Sequence, residues 1–484
     1  MTRIATILAL LMLHAISAYA QADSGAPPNF ILILSDDHRY DFMSFMDEPA
    51  TPEFLSTPNL DRMATEGAHL RNAFVTTSLC SPSRASILTG QYAHNHGVID
   101  NQRPQSPGTI FFPEYLQEAG YETAFIGKWH MGEVSDDPQP GFDHWVSFRG
   151  QGVYFDPLLN VNGEHVEEEG YITDILTGYA LEWLRERDDP RPFFLYLSFK
   201  AVHHPFRPPP RYEDRYASAE KRYPQSMADT EENYRGKPQW VREARNSFHG
   251  VDFTFYGDIP FEEVYQGYTE TLLAVDENVG KILDFVDASG IGKETVAFYM
   301  GDNGFLLGEH GLIDKRVAYE ESIRIPFLAY APGRIAPGTI VDEMVLNIDV
   351  APTILNGAGI AMPEQMDGHN MLPLLMGEEV VWRDEFLYEY FWERNFPQQP
   401  TMFSLRDERY KYIYYHGMWA TDELYDIRED PLESTNLMDD PAHEDLVAQM
   451  RKRLFRRLRE TKGVAIDLAH EPTWWQVIER GSTE

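Results

Sequence analysis

The segment Cys80-Ser81-Pro82-Ser83-Arg84-Ala85-Ser86-Ile87-Leu88-Thr89-Gly90 carries the strongest chemical signal in the chain. Pro82 near its start and Gly90 at its end predict a short helix over Pro82 to Thr89. A thiol then sits at a helix N-terminus with a guanidinium one turn further on. Both features lower a thiol pKa and favour an anion at that place. Two readings follow from the residues alone: a small buried hydrophobe, the usual fate of a lone Cys, or the nucleophile of a Cys–His hydrolase. Cys80 is the only cysteine, which excludes an intramolecular disulfide and a Cys-based zinc site.

The other polar clusters each follow a short apolar run. Asn29 to Leu34 ends in Ser35-Asp36-Asp37, and Tyr121 to Ile126 in Gly127-Lys128-Trp129-His130. Phe193 to Phe199 ends in Ala201-Val202-His203-His204-Pro205, and Thr295 to Met300 in Gly301-Asp302-Asn303-Gly304. Such runs read as buried parallel strands. Between them lie helical patterns: one starting at Thr57-Pro58 with Thr57 as N-cap, Phe112 to Ala119, and the long periodicity of Phe261 to Ala288. The alternation predicts an α/β fold, a central, mostly parallel sheet sandwiched by helices, with ligands held past the carboxyl ends of its strands. Asp36, Asp37, Asp302 and Asn303 offer hard oxygens there, a set that suits calcium over zinc, with magnesium the near competitor.

After about Gly368 the character changes. Arg409 to Tyr415 and Glu423 to Ile427 suggest antiparallel strands, and Glu444 to Thr461 a helix with Leu446, Met450, Leu454 and Leu458 on one face. Its basic run, Arg451 to Arg459, reads as a solvated face. The expected organisation is a signal peptide over 1–20, a catalytic domain over 21–368 and a smaller α+β domain over 369–484. A loop insertion over about 207–260 either covers the site or decorates the surface.

The 484 residues are 43% hydrophobic and 13% aromatic, ample for one or two cores. Forty-one basic against 77 acidic residues give a net charge of −36, which excludes nucleic acid and anionic membranes as general partners and hints at a saline habitat. Arg3, the apolar Ile4 to Ala15 and Ala18-Tyr19-Ala20 read as an export signal with its cleavage site. That predicts a periplasmic or secreted protein, and no further segment is long enough to insert in a membrane.

Cys-x-Pro-Ser-Arg followed by Leu-Thr-Gly resembles the signature of the formylglycine-dependent sulfatases, in the alkaline-phosphatase-like superfamily. The likeness extends to the Asp36-Asp37 strand end, Gly-Lys-x-His, His-x-Pro, Asp-Asn-Gly, a downstream lysine and the Tyr-rich C-terminal segment. It implies that Cys80 is oxidised to formylglycine by a maturation enzyme, and that Asp36, Asp37, Asp302 and Asn303 with residue 80 hold calcium. It further implies that Arg84, Lys128 and Lys315 neutralise the sulfate. By the same resemblance one hydroxyl of the hydrated formylglycine attacks sulfur with help from Asp302. His203 and Lys315 then protonate or stabilise the departing alcohol, and His130 takes a proton from the remaining hydroxyl as sulfate leaves. His-x-Pro selects His203 over His204. Lys315 rests on its spacing after Asp302-Asn303 and on the Arg324-Ile325-Pro326 that follows. His94 and His96 are expected to pack behind the site, and His38 departs from the residue the family pattern leads one to expect there.

Tyr388-Glu389-Tyr390-Phe391-Trp392-Glu393, with Arg409 to Tyr412 and Tyr415-His416-Gly417, resembles the bacterial N-acetylglucosamine-6-sulfatase-like enzymes. These aromatics either stack on a sugar or form core between domains. The expected substrate is a sulfated glycan, met at a chain end because the acidic surface repels a long polyanion. Two rival functions stay open: a phosphonate or phosphate monoester hydrolase of the same superfamily, and a glycan-binding protein that never matures.

Overall fold

The computed structural model describes residues 27–463 apart from 189, 258 and 418–420; the export signal expected over 1–20 lies outside the described residues. A sheet of ten strands runs in the order Thr339–Val341, Ala68–Leu70, Phe327–Tyr330, Thr295–Gly301, Asn29–Ser35, Phe193–Ser198, Glu122–Lys128, His144–Phe148, Leu158–Val161, Glu164–Glu167. Its middle five strands, from Thr295–Gly301 to His144–Phe148, are parallel, and antiparallel strands extend it toward both edges. The middle strands are buried on both faces, as their unbroken apolar runs require. One face packs on the helices Ile172–Glu186 and Phe261–Ala288, and the other on Cys80–Thr89, Phe112–Glu118 and Val350–Gly357.

Two helix starts differ from expectation. The signature helix begins at Cys80, two residues early, because Leu79 is extended and Cys80 already has helical geometry. Thr57 precedes the helix Pro58–Glu66 but does not cap it; its hydroxyl accepts from Ser44 N at 2.7 Å and donates to Asp61 at 3.2 Å. The cap comes from afar: Asp276 Oδ1, on the long helix, accepts from Asn59 N (3.0 Å) and Leu60 N (2.9 Å). Asp276→Ala should therefore lower stability by about 1–2 kcal/mol in urea melts, while Asp276→Asn, which keeps an acceptor oxygen, recovers most of it.

A second, antiparallel sheet of four strands comprises Glu385–Tyr390, Met402–Asp407, Tyr410–Tyr415 and Glu423–Asp426. The helix Glu444–Glu460 lies on it through Met450, Leu454 and Leu458. Its basic run is more than a solvated face, since Arg453 bonds Glu385 at 2.8 Å and Asp407 at 2.7 Å. The two sheets are welded by buried pairs. Glu320 meets Arg406 and Lys411, Phe74 stacks on Phe386 at 4.9 Å, and Glu389 N donates to Thr76 O at 2.9 Å. The insertion is folded over this junction, with Lys237 Nζ donating to Tyr425 Oη and to Glu433 O, each at 2.7 Å.

Candidate active site

Four neighbouring parallel strands end side by side, and each delivers part of one cluster. Thr295–Gly301 hands over Asp302 and Asn303, Asn29–Ser35 gives Asp36 and Asp37, Phe193–Ser198 leads to His203, and Glu122–Lys128 gives Lys128 and His130. The signature helix brings Cys80 and Arg84 across their ends, and Lys315 arrives from the segment after Asn303. All ten residues expected at the site are brought together. Cys80 is fully buried, its Sγ 3.5 Å from Asp36 Oδ1 and 2.9 Å from Lys315 Nζ.

Arg84 is 1% exposed and committed to structure: Nε and Nη2 reach Asp302, Nη2 also Asp36, and Nη1 donates to Lys128 O and Ser198 Oγ at 2.6 Å. It fixes the carboxylates, and the other two cations are Lys128, paired with Asp36 and Gln151, and Lys315, paired with Asp37. Burial works against charge on Asp36, yet Lys128, His203, Arg84 and Lys315 hold it well below the usual carboxylate range. Asp37 goes the other way: burial pushes it up to about 7 against the pull of Lys315, with Asp36 and Asp302 adding to the push. The expected low thiol pKa is overturned. Burial and the Asp36 carboxylate outweigh the nearby lysines and push Cys80 up to about 12.

Three crowded carboxylates suit a cation. Among the described residues, oxygens of Asp36, Asp37 and Asp302 lie within 4.8 Å of one another, as do ligand atoms of Asp36, Cys80 and His203. Asn303 Oδ1 is buried without a partner, while its Nδ2 holds Asp37 Oδ1 at 2.7 Å. An all-oxygen set with one unused oxygen fits a hard divalent ion.

The two histidines are oriented by their neighbours. His130 Nε2 lies 2.9 Å from Glu133 Oε1, so that nitrogen carries the hydrogen; Nδ1, buried and unpartnered, presents a lone pair. Burial lowers this imidazole to about 4, with Lys128 adding to the shift. His203 Nδ1 donates to His204 O at 2.7 Å, leaving Nε2 free to face Asp37 Oδ2 at 3.8 Å. His204 turns away and stacks on Phe255, ring centres 3.8 Å apart. His203→Ala should thus cost at least about 100-fold in turnover and His204→Ala less than about tenfold; the reverse order in steady-state assays would reassign the pair.

His38 is buried between Tyr299 Oη (2.7 Å) and Phe42 O (3.0 Å), and so serves packing. His96 bonds Ser86 Oγ at 3.0 Å, and His94 joins Glu389 at 2.7 Å to Thr461 O at 2.7 Å, both behind the site as expected. The Tyr-rich segment is core: Tyr388, Tyr390, Phe391, Tyr412 and Tyr415 are buried, and only Trp392 and His416 stand exposed among the aromatic and His residues from 388 to 393 and 415 to 416.

Beside Lys315 lies a polar wall of which sequence reasoning named only Glu393. Arg316 bonds Asp314 (2.9 Å) and Glu393 (2.6 Å) and covers the Phe396 ring at 3.9 Å. Gln399 Nε2 donates to Asp314 at 2.9 Å, and its Oε1, like His249 Nδ1, is buried without a hydrogen bond. The charged triplet Asp314-Lys315-Arg316 was a local signal. Glu393 closes the Tyr388 to Glu393 stretch already singled out, whereas His249 and Gln399 come from distant segments with no pattern of their own.

An α/β sandwich with this carboxylate, lysine and cysteine cluster at its strand ends defines a class. The chain belongs to the sulfatase family, whose model, described as Sulfatase, matches residues 28–360; a second, described as N-sulphoglucosamine sulphohydrolase, C-terminal, matches 308–460. It is 32% identical to an N-acetylglucosamine-6-O-sulfatase of Bacteroides thetaiotaomicron, over 94% of this chain and 90% of that one. It is 31% identical to the N-acetylglucosamine-6-sulfatase of Homo sapiens, over 82% of this chain and 74% of that one. A solved structure described as a complex with its substrate, D-glucosamine-2-N,6-O-disulfate, superposes with a TM-score of 0.84 at 30% identity, covering 92% of this chain and all of that one. The phosphonate monoester hydrolase of Agrobacterium radiobacter shares the fold, with a TM-score of 0.74 at 22% identity, covering 90% of this chain and 96% of that one.

Proposed function

We propose that this chain is an exported, calcium-dependent glycan sulfatase that removes an O-sulfate from a sulfated glucosamine, the 6-sulfate of N-acetylglucosamine foremost, at a chain end. The observation that carries the reading is the placement of Cys80 Sγ against Lys315 Nζ and Asp36 at the joined ends of four strands. A thiol held near 12 is a poor nucleophile at neutral pH, which supports its conversion to formylglycine by a maturation enzyme. Formylglycine supplies a hydroxyl nucleophile from its hydrated aldehyde. Asp36, Asp37, Asp302 and Asn303, with residue 80, would hold calcium, whose charge draws density from the sulfate oxygens.

Around that centre the chain's own groups divide the work. Lys128 and Lys315 neutralise the ester oxygens. His203 Nε2, its tautomer set by the His204 carbonyl, is the atom that hands a proton to the departing sugar oxygen once the bound anion raises its basicity. His130 Nδ1, its tautomer set by Glu133, takes the proton that frees inorganic sulfate. The wall of Asp314, Arg316, Glu393, Gln399 and His249 offers charged groups and unused hydrogen-bonding atoms to sugar hydroxyls. In this reading residues 21–368 form the catalytic unit and 369–484 the smaller domain. Among the described residues no helix is long and apolar enough to cross a membrane, and similar chains include one named an extracellular sulfatase homolog in Drosophila melanogaster.

The test is sulfate release from N-acetylglucosamine-6-sulfate by protein co-expressed with a formylglycine-generating enzyme. Release from this sugar supports the whole reading. Release from other sulfated glycans only would keep the reaction and discard the sugar. Turnover of phosphonate monoesters alone, or an unmodified Cys80 by peptide mass despite co-expression, would overturn it.

A further inference from the structure

The basic run of the last helix is only partly spent on the weld between the sheets. Seven of the chain's 41 basic residues crowd into 451–462 beside one acid, on a protein of net charge −36. Arg453, Arg456 and Arg457 pair with Glu385, Asp407 or Glu460. Arg451, Lys452, Arg459 and Lys462 are exposed and have no ion pair among the described residues. Positions 451, 452, 455 and 459 share an arc of about 100° on the helix, so three of these cations flank Phe455 over a length of about 12 Å.

That arc meets a line of rings leading back to the active site. Phe455, half-buried, lies 5.2 Å from the Tyr414 ring, and Arg451 Cζ stands 5.9 Å over the same ring. Exposed His416 follows, 6.5 Å from Tyr414. His416 N donates to Thr401 O and Trp392 N to Thr401 Oγ1, each at 2.9 Å, and Trp392 is 39% exposed. The next residue is Glu393, which holds Arg316 in the wall beside Lys315. Asp422, on the neighbouring loop, is already held by Tyr412 Oη and Tyr415 N. Accessible rings among unpaired cations suit a sulfated sugar chain, whose apolar faces stack on rings while guanidinium groups bond its anionic oxygens. We propose that this strip is a distal subsite for the sugar units next to the one being desulfated, with Arg451, Lys452, Arg459 and Lys462 pairing with their anionic groups. The inference rests on the glycan-sulfatase reading. It adds how so acidic a protein keeps a polyanion at its site: one local strip attracts what the rest of the surface repels.

The test compares the parent chain with Arg451→Gln/Arg459→Gln on two substrates. One is N-acetylglucosamine-6-sulfate; the other is a synthetic pentasaccharide with that sugar at its non-reducing end and sulfated inner units. The double variant should keep kcat/KM on the monosaccharide within about twofold and lose at least about tenfold on the pentasaccharide, through KM. Lys293→Gln/Arg334→Gln removes the same charge from exposed positions away from the strip, Lys293 lying just before the strand Thr295–Gly301, whose far end carries the site. It should leave both substrates unchanged. Calorimetric titration of the pentasaccharide into Cys80→Ala, with and without the arginine pair, reads the strip without turnover. An idle monosaccharide would therefore strike the sulfatase reading while binding still tests the strip. Equal pentasaccharide affinity with and without the arginines, an equal loss in the Lys293 control, or equally tight binding of unsulfated N-acetylchitopentaose would overturn the proposal. So would no binding at all, which would leave the strip to residues 464–484.

Discussion

Cys80→Ala, matured alongside the parent chain, loses sulfate release by at least about four orders of magnitude while keeping its fold. The loss is large because the neighbours of Sγ have other commitments: Lys315 is a cation, Asp36 a carboxylate held by Lys128 and Arg84, and His203 is tied through Nδ1 to the His204 carbonyl. The fold survives because the change removes only the polar end of one small, fully buried side chain, at a cost of about 1 kcal/mol. Unmodified thiol gives no partial substitute. With burial and the Asp36 carboxylate pushing its pKa up to about 12, the thiol stays protonated at pH 7. Ion chromatography of released sulfate, paired with a circular dichroism melt, reads both halves; retained turnover in Cys80→Ala would remove residue 80 from the mechanism.

Gly127→Ala has the larger effect on stability. Gly127 has φ +126°, and a Cβ there would lie 1.8 Å from Ser198 O on the adjacent strand. Backbone cannot yield as a side chain tip can, so the strands ending in Lys128 and Ser198 must part. The expected cost is at least about 3 kcal/mol, with activity falling further because Lys128 and His130 follow directly. Gly178, exposed on the helix Ile172–Glu186 with open space at its Cβ, is the contrast. Gly178→Ala should raise stability by about 0.5–1 kcal/mol. Urea melts of the two variants check both signs, and an intact Gly127→Ala protein would mean that the strand ends shift more freely than their pairing implies.

The fold was legible where residues declare their own burial. The runs Asn29 to Leu34, Phe193 to Phe199 and Thr295 to Met300 read as buried strands because both faces are apolar, and the clusters at their ends followed from topology. The site was legible where it is local, as in Asp36-Asp37 or Gly-Lys-x-His. What stayed hidden depended on distance or environment. The cap from Asp276 crosses more than 200 residues, and the wall beside Lys315 gathers His249 and Gln399 from segments with no periodicity. The thiol pKa was misjudged because charge on a helix end can be read from sequence, whereas burial beside Asp36 cannot. Tyr388 and Tyr412 look alike on the page whether they face a sugar or a core.

The weld between the two sheets also sets a clock. Phe74 and Thr76, just before Cys80, are covered by Phe386 and Glu389, from a strand synthesised roughly 300 residues later. At about 5–20 residues per second, the segment that carries Cys80 waits on the ribosome for some 15–60 s before that cover exists. A thiol sealed in the finished protein is thus within reach of other enzymes for much of the time the chain is being made.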